Sequence, residues 1–329
     1  IMTIKSKIQL VLIVLILVSI TTTCQKQGKY EGEIELEYTP RHVNLIRPIV
    51  DPERIYRMWI DDRSWESLPS AMKEMKHLRE LELSYMKIEN WENSSAIIDA
   101  FPKLKTLAIT ATDIKVLPFN PNSIPQLESL NLVGSSEYNL DREIHKIKQL
   151  HHLKYLCIAG LKTDHLPKQI SSLDSMKELE FGYHKQNFNY EKAFELVYKL
   201  PSLEHLSFGA VTFDTLPGNF QKLNQLRKLS FYDCSFQFGD LFHEIKTWEN
   251  FESLMLQNMD VHILPETLTK LKNLKTLKLH DNRNLNHQKL FRQLAKIPGF
   301  EELVISKTIL HHQHDRFVMP EELGELKNL

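Results

Sequence analysis

The chain has 329 residues, with 41 Lys+Arg against 42 Asp+Glu, a neutral balance that argues against the basic face of a nucleic-acid binder. It holds 49 Leu and only 10 Gly. That Gly share, ~3% against a usual ~7%, disfavours phosphate-cradling loops and dinucleotide-binding turns, which need Gly at fixed offsets. Charged residues at 25% beside 42% apolar ones exclude a disordered chain, and three Cys are too few for a disulfide framework.

The N-terminus carries the pattern of an export signal. Lys5 and Lys7 form a short basic region, and Ile8 to Ile20 is apolar apart from Gln9 and Ser19. A stretch of this length falls short of the ~20 residues a membrane-spanning helix needs, so residues 1–23 read as a signal peptide. Thr21, Thr22 and Thr23 then precede Cys24. Small residues directly before a Cys resemble the lipidation site of bacterial lipoproteins, which would make Cys24 the anchored N-terminus. Plain cleavage with secretion and an uncleaved anchor are the alternatives. Residues 24–54 show no repeat; Gly32 to Pro40 suits an extended lead-in, and Asn44 to Asp51 a shield over the first repeat's open end.

From residue 55 the chain is periodic. The pattern apolar-x-x-apolar-x-apolar starts at Ile55, Leu78, Leu104, Leu127, Leu153, Met176, Leu203, Leu226, Phe251, Leu274 and Phe300, and a twelfth copy begins at Leu326. The spacings alternate between about 23 and about 26 residues. Copies starting at 55, 104, 153, 203 and 251 share a Leu-Pro pair, Leu68-Pro69 through Leu264-Pro265, and the copies between them are longer and lack it.

Each pattern alternates like a short strand whose second and third apolar residues point into a core. Pro extends the residue before it and suits the start of a short helical turn. The longer copies carry helical spacing instead: Ala193, Phe194, Val197 and Leu200; Leu241, Ile245 and Trp248; Leu290, Leu294 and Ile297. Three extra residues are nearly one helical turn. Strands ~4.8 Å apart inside and wider helices outside would curve the array.

This resembles the leucine-rich repeat family, over roughly residues 55–329. The resemblance implies an α/β solenoid, a curved horseshoe with parallel strands on its concave face and alternating short turns and helices on its convex face. One column departs from the family pattern. The ninth position of each repeat, usually an Asn that bonds turn backbone, reads Arg63, Met86, Thr112, Ser135, Leu161, His184, Val211, Cys234, Met259, Asn282 and Thr308. With only Asn282 left, the other turns need different partners for their backbone groups.

The family's usual role is binding through the concave strand face, which implies a non-catalytic, extracytoplasmic recognition protein for a protein or glycan ligand. Outward positions are the fifth, seventh and eighth of each repeat. They supply Tyr85, Tyr183 and Tyr232, whose rings offer area with a polar tip, together with Glu82, Asn131, Glu180, Lys278, His280 and Asp233. Gly134, Gly160, Gly182 and Gly209 fall at the seventh or eighth position. Either the turn there prefers Gly, or these residues make a shallow floor bordered by the three tyrosines.

Catalytic strings such as G-x-S-x-G, H-E-x-x-H or a P-loop are missing, and nothing in the sequence calls for a cofactor or a nucleic acid. Cys157 is expected as a free thiol on the strand face, and Cys234 as a small buried turn residue. His311, His312, His314 and Asp315 read as a solvated inserted loop rather than a metal site. A second functional reading makes these repeats the recognition half of a larger enzyme or effector whose catalytic part lies beyond Leu329.

Overall fold

A computed structural model describes residues 34–38, 52–306 apart from 62, 64, 90, 136 and 184–187, and residues 321 and 324. The signal region with Cys24, the 311–315 loop, His184, Thr308 and the copy beginning at Leu326 lie outside the described residues. Two compact units divide between Tyr138 and Asn139.

The first unit holds β1 (Ile34–Tyr38), β2 (Ile55–Asp61), β3 (Glu80–Ser84), β4 (Thr106–Thr110) and β5 (Ser129–Val133). Each pairs in parallel with the next, with a register shift between Ile34 and Glu35 where β1 meets β2. The second holds β6 (Tyr155–Ala159), β7 (Glu178–Gly182), β8 (His205–Gly209), β9 (Lys228–Tyr232), β10 (Ser253–Gln257), β11 (Thr276–His280) and β12 (Glu302–Ser306), again parallel and in chain order. Parallel neighbours need a crossover, and from β2 onward each crossover within a unit belongs to one repeat.

The repeat columns explain the pairing. Leu81↔Leu107↔Leu130 in the first unit and Leu179↔Leu206↔Leu229↔Leu254↔Leu277 in the second stand in register, so the fourth position of the repeat makes an apolar row within each unit. The sixth position makes a second: Phe181, Phe208 and Phe231 are fully buried and meet ring to ring at 5.1 and 5.4 Å. Full burial of such a side chain is worth about 1.5–3 kcal/mol relative to exposure, and a single slip of register would turn these rows outward.

The crossovers alternate as the spacing predicts. Long copies carry α-helices: α1 (Trp91–Ile98), α2 (Leu140–Ile147), α3 (Tyr190–Val197), α4 (Phe238–Ile245) and α5 (His287–Leu294). Leu241, Ile245 and Trp248, like Leu290, Leu294 and Ile297, are buried, as their spacing requires. Asn139, Asn189 and Asn286 cap α2, α3 and α5 by accepting the backbone N–H three residues on. Four Leu-Pro copies carry short 3-10 helices, at Ser70–Glu74, Lys168–Ser172, Phe220–Leu223 and Glu266–Lys270. In the first, second and fourth the Pro precedes the helix in extended conformation, and its carbonyl accepts the N–H three residues on at 3.0 Å. Proline therefore directs the chain into these turns rather than occupying their first helical position. Among the described residues no helix is long and apolar enough to cross a membrane.

Candidate functional site

The strands end in a shared turn that decides which side chains leave the sheet. Its eighth position is left-handed at Tyr85, Ala111, Gly134, Gly160, Tyr183, Ala210, Asp233, Asn258 and Asp281, with φ between 50° and 71°. This conformation costs an ordinary residue about 1–2 kcal/mol. What it returns is a hydrogen bond to the next repeat. The N–H of Tyr85 reaches the Thr110 carbonyl at 2.9 Å, that of Asp233 the Gln257 carbonyl at 3.0 Å, and that of Asp281 the Ser306 carbonyl at 2.9 Å. Gly134 and Gly160 are therefore explained by the turn itself.

The glycines at the seventh position have a different reason. A Cβ on Gly182 would collide with the backbone of Gly209, and one on Gly209 would fall inside the Tyr183 ring. The Tyr183 ring thus covers Gly209, and its hydroxyl donates to Asp233 Oδ2 at 3.2 Å. The expected open floor bordered by tyrosines is absent in the second unit, because one of those tyrosines lies on it.

Four other candidates are placed differently from the expectation. Tyr232, 3% exposed, is buried between Gly209 and Gln257, its register partners on β8 and β10. Asn131 is buried in the first unit, and its Oδ1 has no hydrogen-bond partner. Glu180 is 2% exposed; its carboxylate accepts the Tyr155 hydroxyl at 3.2 Å and stands beside the Cys157 thiol, its neighbour in register. Loss of water raises Glu180 to about 7, against which the Tyr155 and Cys157 hydrogen bonds work. Cys157 is a free thiol as expected, but it is fully buried, and burial beside Glu180 pushes its pKa well up. An inert thiol results. Cys234 is buried in the turn column as expected, its thiol pushed up to about 12 by burial.

The remaining candidates are partly exposed. Glu82, in the first unit, accepts from Ser84 at 3.4 Å and from Trp59, while burial holds its pKa above the ordinary carboxylate value. Tyr85 carries the Arg63 guanidinium 5.5 Å above its ring. In the second unit Lys278 lies 3.8 Å from Glu302, and His280 Nδ1 is 2.7 Å from Ser306 Oγ. Asp233 joins Tyr183 to Asn258, whose side-chain amide donates to Asp233 Oδ1.

The third position of each repeat lies outside the fifth, seventh and eighth columns taken from the sequence. By period two it shares a face with the fifth, so Glu178, His205 and Lys228 belong to the same surface as Glu180, Ser207 and Ser230. His205 is the hub there. Its Nδ1 is 3.3 Å from Glu178 Oε2, and its Nε2 lies 2.8 Å from Ser230 Oγ and 3.2 Å from Ser207 Oγ. The His205 hydrogen bond is the leading cause that lowers the Glu178 carboxyl below the usual carboxylate value. This relay across β7, β8 and β9 fixes the imidazole and ties three strands together through side chains.

Two features fall in the ninth column. Asn282 accepts the N–H groups of Met259 and Val261 at 3.1 Å each, and donates to the carbonyls of Leu256 and His280 at 2.8 and 3.0 Å. One side chain satisfies four backbone groups. Ser135 does a smaller version, donating to the Thr112 carbonyl at 2.9 Å.

The family described as leucine-rich repeat region matches residues 130–329. The chain belongs to the leucine-rich repeat family. Among solved structures it is similar to a leucine-rich repeat protein of Leptospira interrogans, at 18% identity over 90% of this chain and 93% of that one, with a TM-score of 0.38. It is also similar to an internalin of Listeria monocytogenes, at 14% identity over 80% and 82% of the two chains and a TM-score of 0.47. No curated protein matches it by sequence. Within this repeat protein, the parallel order of the strands and the alternating crossovers agree with the fold that the leucine pattern predicts.

Proposed function

We propose that this leucine-rich repeat chain is an exported, non-catalytic recognition protein that binds a protein partner through the strand face of its second unit. The observation that carries this reading is the change in the fifth column along that unit. Cys157, Glu180, Ser207 and Ser230 are buried, whereas Met255, Lys278 and Val304, adjacent in register on β10, β11 and β12, are partly exposed. Two apolar side chains around a cation, flanked by His280 and Asp233, offer the mixture of apolar contact and polar anchoring found in protein interfaces. Tyr183 extends this patch through its bond to Asp233.

Export and a lipid on Cys24 complete the proposal, supported by the basic, apolar and small-residue pattern of residues 5–24. Cys24→Ala, which removes the thiol that takes the lipid, is expected to leave an unlipidated precursor, and globomycin, which blocks the lipoprotein signal peptidase, an uncleaved one; normal maturation under either condition would refute the anchor. For recognition, Lys278→Ala with His280→Ala is expected to weaken capture of the partner from envelope extracts at least about tenfold. Equal loss from Lys192→Ala, on the exposed side of α3, would remove the strand face as the binding surface. Loss of the captured species after glycosidase but not protease treatment would replace the protein partner by a glycan.

A further inference from the structure

The cations of the second unit are mostly paired where the strands begin. Lys177 meets Glu204 at 3.1 Å, Arg227 meets Glu252 at 2.8 Å, and Lys275 shares Glu252 at 4.0 Å. A cleft of about 240 Å³ lies between the last turn of α4 and the 3-10 helix Glu266–Lys270 with the loop that follows it. Lys246, Lys270 and Lys272 all line it, and no carboxylate among the described residues pairs with any of the three. Lys246 instead has its ammonium 3.1 Å from His243 Nδ1. Glu249 is the one carboxylate residue in the lining, where its backbone carbonyl accepts the Asn273 amide at 2.6 Å. The floor is apolar, with Trp248 stacked on Phe220 at 5.6 Å.

A lysine in the last turn of a helix offsets the negative end of the helix dipole. That accounts for Lys246 on α4 and for Lys270 on the 3-10 helix. It leaves Lys272, past the end of both, without that reason. Three lysines line one cleft that a single anion could share, and lysine suits phosphate as a point charge with rotatable donors. The volume exceeds what one phosphate group needs and leaves room for the group that carries it.

We propose that this cleft is a binding site for a phosphate-class anion, held by Lys246, Lys270 and Lys272. It lies on the crossover side and is separate from the strand face that the proposed partner would occupy. The site takes the phosphate either from a soluble phosphomonoester or from a lipid headgroup, and the two sources are separable.

The test uses the exported chain without its signal segment. Calorimetric titration with inorganic phosphate and glycerol phosphate reports the soluble source. Cosedimentation with phosphatidylcholine vesicles, with and without phosphatidic acid, reports the lipid source. Saturable binding in at least one arm is expected. The triple change Lys246→Gln, Lys270→Gln, Lys272→Gln should weaken it at least about tenfold, with circular dichroism unchanged. Lys199→Gln with Lys296→Gln, lysines near the ends of other helices, should leave it within about twofold. Failure of both arms, or an equal loss from the Lys199 and Lys296 pair, would overturn the site. Capture of the strand-face partner is unaffected by either outcome, so the two proposals fail separately.

Discussion

Two side chains, Asn282 and Glu180, carry opposite burdens. Asn282 is fully buried and answers four backbone groups. Asn282→Ala should cost about 3 kcal/mol in denaturant unfolding, since each buried group left unpaired costs about 1–3 kcal/mol; a loss below about 1 kcal/mol would mean the turn finds other partners. Glu180 is a liability that depends on pH. Its folded-state pKa of about 7 stands above its ordinary 4.5, so between those values the folded form holds a proton that the unfolded form has lost. Stability is therefore full below pH 4.5, falls as pH rises toward 7, and stays low above it. Glu180→Gln should be nearly neutral at pH 4 and stabilising by about 3 kcal/mol at pH 8, measured by urea unfolding at both. Glu178 works the other way: its lowered value adds stability above its ordinary pKa, lost as pH falls through the folded value. Neither shift could be read from the sequence. The outward columns include Glu180 and leave out Glu178, and burial of Glu180 and pairing of Glu178 with His205 depend on what the neighbouring strands place beside them.

The strand and its turn are where the sequence was most legible. The fourth and sixth apolar positions fix the inward face, and the alternation between Leu-Pro copies and longer ones predicts short helical turns alternating with fuller helices. One Leu-Pro copy is an exception, because Leu117-Pro118 is followed by turns and no named helix. The left-handed eighth position was only partly legible. Gly, Asn and Asp at Gly134, Gly160, Asp233, Asn258 and Asp281 are its natural occupants, whereas Tyr85, Tyr183 and the two alanines hide it. The outward columns make the same tyrosines candidate ligand contacts, and the Tyr183 ring also lies over the neighbouring strand end at Gly209. Its reach depends on a missing side chain at Gly209 and on close backbone approach at Gly182. Gly182→Ala, at a φ of 145° and against the Gly209 backbone, should destabilise by about 2 kcal/mol or more and lower the melting temperature. Gly134→Ala meets only ordinary contacts near Ala111, so its cost should be confined to the left-handed backbone, about 1 kcal/mol. Equal losses at the two glycines would contradict the distinction.

At the scale of the whole molecule, each unit is a row of repeats that exchange hydrogen bonds and apolar contacts with their neighbours. Stability in such arrays is close to a sum of local terms, which lets each repeat settle its own turn. The ninth column shows that freedom, with the buried Ser135, Cys234 and Asn282 each meeting the turn by a different bond. The candidate surface was less legible than the fold for the same reason. A column position tells which way a side chain leaves its strand, and its accessibility is set by two neighbouring strands that belong to other repeats. Glu180 and Tyr232 were lost to burial in this way, while Lys278, His280 and Asp233 remained. The most direct test of recognition through that face is a photo-crosslinking amino acid placed at Lys278 or at Met255, with Lys192 as the control position on α3. Recognition through the strand face predicts one discrete adduct of the same mass increment from both strand-face positions in envelope extracts and none from Lys192. An adduct from Lys192 alone, or the same adduct from all three positions, would contradict it.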